Sequence, residues 1–289
     1  MNHVFIINPE AGKRKGLYTG QVIDDYLKHK NIEYKIHYTE KKNEATEIAN
    51  LYKGSENIIY SVGGDGTLNE VVNSLAKTDA TLSVIPIGSG NDFYKSLKNF
   101  NSEYIDLGLV NDRYFINIAS LGLDAEIADY ANTLKNNKLP NKIVYVLGII
   151  KNFLIFDNID VNINNSDTKL TLLAICNGSY YGGGFQIAPY AKLDDGLFDI
   201  YCVHKLNKID TFKLLSKLIK KTHTEDSKVT YYRTDGMFIE SYIPLLCNID
   251  GEIIKDTKFN FSLEHEAIRI QTQDELRINE LLKSKKLIK

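Results

Sequence analysis

An apolar, β-branched run, Ile58 to Val62, leads directly into Gly63-Gly64-Asp65-Gly66-Thr67, and apolar residues then recur at helical spacing as Leu68, Val71, Val72 and Leu75. Strand, glycine turn and helix in that order aim bare backbone N–H groups and a positive helix end at an anion. Gly63 and Gly64 let a ligand approach the backbone closely. Asp65 repels a bare phosphate, so its place here makes sense if a divalent cation sits between carboxylate and phosphates. Thr67 and Glu70, three apart, read as a capping box for the helix. An ordinary tight βα turn is the plain alternative, but three glycines around an acid favour a nucleotide.

The flanking chain repeats the pattern. Val4 to Ile7 reads as a first strand, closed by Asn8-Pro9-Glu10-Ala11-Gly12 and then Lys13-Arg14-Lys15, which either neutralise nucleotide charge or form a solvated loop. Without Gly-Lys-Ser/Thr this is no Walker loop. Leu17–Lys30 predicts a helix and Ile32–Tyr38 a strand. Thr39 closes that strand, in reach of a ribose or as a cap for the helix at 43–53. Thr81 to Ile87 predicts another strand, running into Gly88-Ser89-Gly90-Asn91-Asp92 ahead of a short helix. Short alternation of β and α argues a doubly wound parallel sheet, with its glycine loops on one edge.

Beyond residue 100 strands dominate, beginning with Tyr104–Val110 and Arg113–Ala119 across Asn111-Asp112, a two-residue hairpin signal. Short strands near 159–163, 170–176, 197–203, 228–232, 237–240, 245–249, 258–263 and 267–271 predict an antiparallel sandwich. Helices are expected near 125–136, 143–156 and 209–221. The expected layout is a nucleotide-binding α/β domain over residues 1–118 and an all-β domain over 119–271. The tail near 272–289 either packs back on the first domain or frays.

A net charge of −2 gives no electrostatic case for nucleic acid. Cys176, Cys202 and Cys247 are odd in number and widely spaced, which reads as buried thiols in a reducing cytosol. The first strand lacks the basic flank of a signal peptide, and Lys151 and Asn152 break the longest apolar run, Ile143 to Phe156, so no transmembrane helix is expected.

Taken together these pieces resemble the bacterial diacylglycerol/lipid kinase family, whose catalytic domain is shared with sphingosine and ceramide kinases. The resemblance is colinear from Asn8 to Glu252. It runs through Asn8-Pro9 with Gly12, Gly63 to Glu70, Gly88 to Asp92 and Leu121-Gly-Leu-Asp124. It continues through Asn177-Gly178, Gly182 to Gly184 with Pro189, Leu193 to Asp199, and Asp250-Gly251-Glu252. It implies two domains with the active site in the cleft between them, ATP as co-substrate and Mg²⁺. Nucleotide contacts would fall on Asn8, Pro9, Glu10, Ala11, Gly12, Thr39, Gly63, Gly64, Asp65, Gly66, Thr67, Leu68, Asn69 and Ser89. Asp65, Asp92 and Asp124 would surround the catalytic Mg²⁺, partly through water, although Asp124 alone reads as a helix cap. Glu252 would be the base with Asp250 as partner or substitute. Taken alone, residues 248–252 read as a hairpin turn; on one strand, 250 and 252 would face the same side. Asp195 with the carbonyls of Lys192 and Leu197 would hold a structural Mg²⁺, or form a metal-free Asp-Gly turn. Ser89 stands where the family usually has threonine.

The resemblance leaves the lipid open, with diacylglycerol first, and a homodimer open as well. A lipid kinase without a membrane span meets its substrate at a bilayer surface, as a cytoplasmic, peripheral protein. The segment Ile209 to Lys221 suits that, with Ile209, Phe212, Leu215, Leu218 and Ile219 against Lys213, Lys217, Lys220 and Lys221; a helix merely covering a core reads the same way. Two rivals share the motifs: a related kinase acting on NAD, and a nucleotide-binding regulatory module without turnover. Protein-kinase signatures are missing.

Overall fold

The structure is a computed structural model and describes residues 1–98, 100–133, 157–273 and 275–288. The chain divides into two compact units, residues 1–107 with 265–289, and residues 108–264. The expected apolar helix at 143–156 lies outside the described residues.

In the first unit β1 (Asn2–Ile7), β2 (Tyr34–Tyr38), β3 (Asn57–Gly63) and β4 (Thr81–Pro86) pair in parallel in the order β4-β3-β1-β2. Every residue of β3 and β4 is buried. That suits continuous apolar strands covered on both faces. The helices are α1 (Ala11–Leu27), α2 (Glu44–Ala49), α3 (Asp65–Leu75) and α4 (Asp92–Ser96). α1 is interrupted at its start, where Gly12, Lys13 and Arg14 all have left-handed backbone. Phe5, Ile7, Ile23, Leu27 and Val62 form the core with Ile278 and Leu282, which belong to a later helix described below.

β5 (Tyr104–Val110) and β6 (Arg113–Phe115) form the expected hairpin, Val110 pairing with Arg113. The second unit continues with β7 (Ile118–Gly122), α5 (Leu123–Thr133), β8 (Ile159–Ile163), β9 (Ser166–Cys176), β10 (Tyr180–Tyr181), β11 (Phe185–Gln186) and β12 (Phe198–His204). Then come α6 (Lys208–Ile219), β13 (Val229–Thr234), β14 (Gly236–Ile249) and β15 (Glu252–Ile270). Two pairs of strands expected separately are single long ones. β14 spans both 237–240 and 245–249, with a register shift between Glu240 and Leu245, and β15 spans both 258–263 and 267–270. A bulge of this kind breaks the period-two pattern without ending the strand.

β9 pairs with β8 through residues 166–170 and with β7 through residues 172–176. β14 likewise pairs with β8 at Ile239 and Glu240 and with β7 at residues 247–249. β9 and β14 therefore each join β7 to β8, and the second unit's strands pack on a core of Phe115, Leu173, Phe198, Cys247, Phe259 and Phe261. All three cysteines are buried free thiols. The last residues of β15 belong to the first unit, where Arg269 and Ile270 pair in parallel with Thr81 and Leu82 of β4. α7 (Ile278–Ser284) follows. No helix among the described residues is long and apolar enough to cross a membrane.

Candidate functional site

The nucleotide residues expected in the first unit gather at the carboxyl ends of its parallel strands. Ile7 pairs with both Tyr38 and Val62, so Asn8, Thr39 and Gly63 emerge side by side; Gly63 in turn pairs with Pro86, which leads to Gly88. Ligands of open α/β sheets collect at this edge. Backbone bonds lace the loops together: Thr39 N–H donates to Ile7 O at 2.9 Å, and Ile87 and Gly88 N–H both donate to Gly63 O at 3.0 Å. A side chain on Gly88 would place its Cβ 2.4 Å from Gly64 Cα, so the two glycine loops touch at a distance only glycine permits. Ser61, Gly64, Asp65, Asn91 and Tyr94 line a small groove there. Gly66 and Ser89 are exposed and Asn69 is half-buried; Leu68 lies on the buried side of α3.

Asn8 fixes the first loop. Its Oδ1 accepts from Glu10 N–H at 3.0 Å, its carbonyl from Ala11 N–H at 3.1 Å, and its Nδ2 donates to Thr67 Oγ1 at 3.3 Å. Pro9, Ala11 and Gly12 are half-buried, and Glu10 pairs with Arg14 at 3.0 Å in solvent. The sequence gives no hint of what holds this loop from below. A Cβ on Gly16 of α1 would lie 1.9 Å from Asn8 O. Gly→Ala inside a helix ordinarily stabilises by about 1 kcal/mol. Here Gly16→Ala is expected to do the reverse, lowering the melting temperature and weakening ATP binding by about tenfold as the Asn8 loop is displaced; calorimetry on the two proteins checks both.

The expected capping box does not form. α3 starts at Asp65 behind an extended Gly64, with no side-chain cap. Thr67 instead meets Asn8, and Glu70 reaches across to α2, where its Oε2 accepts from Ala45 N–H at 3.2 Å and its carbonyl from Thr46 Oγ1 at 2.8 Å. Tertiary partners outcompete the local cap. Asp65 does the same for α4: its Oδ1 accepts from Asp92 N–H at 2.7 Å and Phe93 N–H at 3.2 Å. Asp92, buried, takes Lys95 Nζ at 2.7 Å. One carboxylate thus ties the two glycine loops.

In the second unit Asp250 and Gly251 are the two residues of a tight hairpin turn between β14 and β15, with φ of 50° and 94°. Positive φ at both centres is the type I′ pattern. Residues 250 and 252 therefore do not alternate along one strand. Asp250 accepts three backbone N–H bonds, from Ile116 at 2.6 Å and from Asn117 and Ile118 at 3.0 Å each. Glu252 opens β15 and pairs with Arg113 at 3.1 Å, its side chain 28% exposed. A group that holds three amides is a strut; Glu252 is the more open carboxylate of the two, held by Arg113.

Asn248, fully buried and not apparent as functional from the sequence, joins this turn to Asp124. Its Oδ1 accepts from Gly251 N–H at 2.9 Å, and its Nδ2 lies 3.3 Å from Asp124 Oδ2 and against Tyr181 Oη. Ser120 donates to the same Asp124 oxygen at 2.5 Å. The clue available beforehand is a polar residue amid the apolar run of a predicted strand. Asp124 also belongs to the wall of a cavity of about 130 Å³, lined otherwise almost wholly by apolar groups including Leu172, Ala174, Val203, Leu214, Leu215 and Leu218.

Asp195 is placed differently. Its Oδ1 accepts from Leu197 N–H at 3.3 Å, and its Oδ2 meets the Arg233 guanidinium, which also lies 3.6 Å from the fully buried Asp199. Burial pushes the Asp199 carboxyl above the usual range, although the Tyr231 hydroxyl and Arg233 oppose it. Arg233 thus supplies positive charge at Asp195, and Lys192 is exposed nearby in sequence. No group of three or more His, Cys, Asp or Glu side chains able to hold a metal forms among the described residues.

Residues 2–112 match the diacylglycerol kinase catalytic domain, and residues 117–272 match the YegS C-terminal NAD kinase beta sandwich-like domain. A Staphylococcus epidermidis protein named diacylglycerol kinase is 29% identical over 304 aligned residues, covering 96% of this chain and 94% of its own. One of that name from Staphylococcus aureus is 30% identical over 275, covering 86% and 84%. The crystal structure of a diacylglycerol kinase from Bacillus anthracis superposes with a TM-score of 0.67 at 22% identity, over 94% of this chain and 97% of that one, and shares the fold. Family matches that cover residues 2–112 and 117–272, with relatives named diacylglycerol kinase along most of the chain, make this chain a kinase, and it belongs to the bacterial diacylglycerol/lipid kinase family.

Proposed function

We propose that the chain transfers the γ-phosphoryl group of ATP to the hydroxyl of diacylglycerol, giving phosphatidic acid, with Mg²⁺. The observation that carries the lipid is the apolar cavity with Asp124 on its wall, because Asn248 connects that same carboxylate to the Asp250–Gly251 turn. An almost purely apolar cavity takes hydrocarbon at no cost in unpaired polar groups, and the polar network stands at its edge.

The roles divide by unit. The loops at Asn8, Gly63–Asn69 and Gly88–Ser89 hold the nucleotide through backbone N–H groups, with Thr39 beside them. The second unit holds the acyl chains. Glu252 accepts the hydroxyl proton as the lipid oxygen bonds to the γ-phosphorus and the bond to the β-bridging oxygen breaks, releasing ADP. Asp250 keeps the turn in place through residues 116–118, and Arg113 orients Glu252. The carboxylates of Asp65, Asp92 and Asp124 are hard oxygen donors of the kind Mg²⁺ takes, one or two at a time alongside phosphate oxygens and water. An ion held by such oxygens together with the phosphates would neutralise developing phosphate charge. The meeting with lipid takes place at a membrane surface.

The test is labelled ATP with Mg²⁺ and separate acceptors: diacylglycerol, monoacylglycerol, ceramide, sphingosine and phosphatidylglycerol in mixed micelles, and soluble NAD. Label in phosphatidic acid is expected; label in NADP instead, or ATP binding without any product, overturns the reading. Filling the cavity gives a second check. Ala174→Leu is expected to raise KM for long-chain diacylglycerol about fivefold or more while leaving KM for ATP unchanged.

A further inference from the structure

α6 is built with two working faces. Its inner face, Leu214, Leu215 and Leu218, lines the apolar cavity. Its outer stripe carries Ile209, Phe212 and Ile219, which are 69%, 65% and 64% exposed. Positions 209, 212, 216 and 219 fall on one side of a helix with a 3.6-residue period. Core-covering helices put their large apolar groups inward; this one presents three of them to water, and no residue of α6 is fully buried.

The charge around the stripe has one sign. Residues 208–221 hold five lysines against the single Asp210, in a chain whose net charge is −2. Lys217 is paired with Asp226 at 2.8 Å and Lys213 lies 3.6 Å from Asp210, which also binds Lys228. Lys220 and Lys221 project exposed at the helix end.

A second exposed apolar pair stands at the β14 bulge, where Tyr242 is 94% and Ile243 66% exposed. Both features are tied to the start of β8. Ser241 Oγ donates to Asp160 O at 3.4 Å, and Leu206 N–H, two residues ahead of α6, donates to Asn158 Oδ1 at 3.3 Å. The bulge and the head of α6 therefore hang from residues two apart, Asp160 on β8 and Asn158 just ahead of it.

We propose that the outer stripe of α6 and the Tyr242–Ile243 bulge together form the surface on which this protein docks to an anionic phospholipid bilayer, with α6 as the partition between bilayer and cavity. Exposed apolar groups enter the acyl boundary while flanking lysines meet anionic headgroups. A lipid leaving the bilayer then has one helix to pass before it reaches the cavity. In purpose this rests on the lipid-kinase reading, but the docking itself is measured without turnover.

The experiment is co-sedimentation of the full chain, without ATP, with vesicles of phosphatidylglycerol and phosphatidylcholine in equal parts and with phosphatidylcholine alone. The expected result is binding to the anionic vesicles, weaker by about tenfold or more on the neutral ones and after Ile209→Ser/Phe212→Ser/Ile219→Ser. Tyr242→Ser/Ile243→Ser is expected to weaken it several-fold. Melting temperatures and turnover on a short-chain diacylglycerol presented as monomers should stay at the unsubstituted protein's values. Failure of the unsubstituted protein to bind anionic vesicles overturns the proposal, as does undiminished binding by both variants. So does sedimentation velocity showing that the stripe holds two copies together in place of a membrane. Vesicle binding lost with the stripe supports the docking surface even if diacylglycerol proves not to be the acceptor, which separates its fate from that of the function.

Discussion

Asp65→Asn is expected to lower kcat by about a thousandfold or more while moving the melting temperature by only a few degrees. Asp65 Oδ1 accepts the Asp92 and Phe93 amide hydrogens, and an asparagine carbonyl in the same place still accepts them, through weaker uncharged bonds. What the substitution removes is the charge. Phosphoryl transfer depends on positioning and charge neutralisation far more than on covalent help from the protein. Asp65→Ala removes both functions and should cost a further ~1 kcal/mol as the amides at the start of α4 lose their acceptor. Comparing the two variants by thermal melts and initial rates separates tie from charge. Retention of more than a tenth of the activity by the asparagine variant would leave Asp65 as a structural tie only.

Asp250→Asn should show the larger stability effect, and Glu252→Gln the larger catalytic one. Asp250 takes three N–H donors on two oxygens. An amide in either orientation turns its own N–H₂ towards at least one of them. Losing charge-assisted bonds and stranding a donor costs about 3 kcal/mol, or a fall of roughly 6–10 °C in a chain of this size. Glu252 is partly exposed and ion-paired with Arg113, and pairs open to solvent contribute about 0–1 kcal/mol. Glu252→Gln should leave the melting temperature within a degree or two and reduce kcat by about 10²–10⁴-fold, the range for loss of a general base. The opposite pattern, a stable inactive Asp250→Asn beside an active Glu252→Gln, would transfer the base to Asp250.

These pairs also mark where the sequence is readable. Parallel strands and glycine loops follow from local pattern: β3 and β4 are unbroken apolar runs, and each loop carries the glycines its close approaches need. The lists of nucleotide, metal and catalytic residues come from the order of motifs along the chain. Their partners do not. Glu70 has good spacing for a local box, yet it caps α2, and Asp65 caps α4, because side chains far apart in sequence offer better-placed amides. Asn248 and Gly16 act through what lies across from them, Asp124 in one case and the Asn8 carbonyl in the other. The turn at Asp250–Gly251 is visible as an Asp-Gly signal, but its burden of three amides from residues 116–118 is not. Long strands such as β14 are misread as two because a bulge erases the alternation at 241–244. Arg233 at Asp195 is equally invisible, since nothing at residue 195 announces a guanidinium from residue 233.

The first unit is assembled from two distant stretches of chain, with Leu276, Ile278, Leu282, Leu287 and Ile288 in the same core as Phe5, Ile7 and Ile23. A ribosome makes residues 108–264 before it makes those five. The first unit, although begun first, is completed after the second. Until residues 265–288 clear the exit tunnel, β4 lacks its neighbour at Arg269 and Ile270, and one side of α1 is bare. The nascent chain thus carries all of the second unit while the first is still unfinished. The strands that carry the two glycine loops therefore reach their finished core only once the last of these residues has been made.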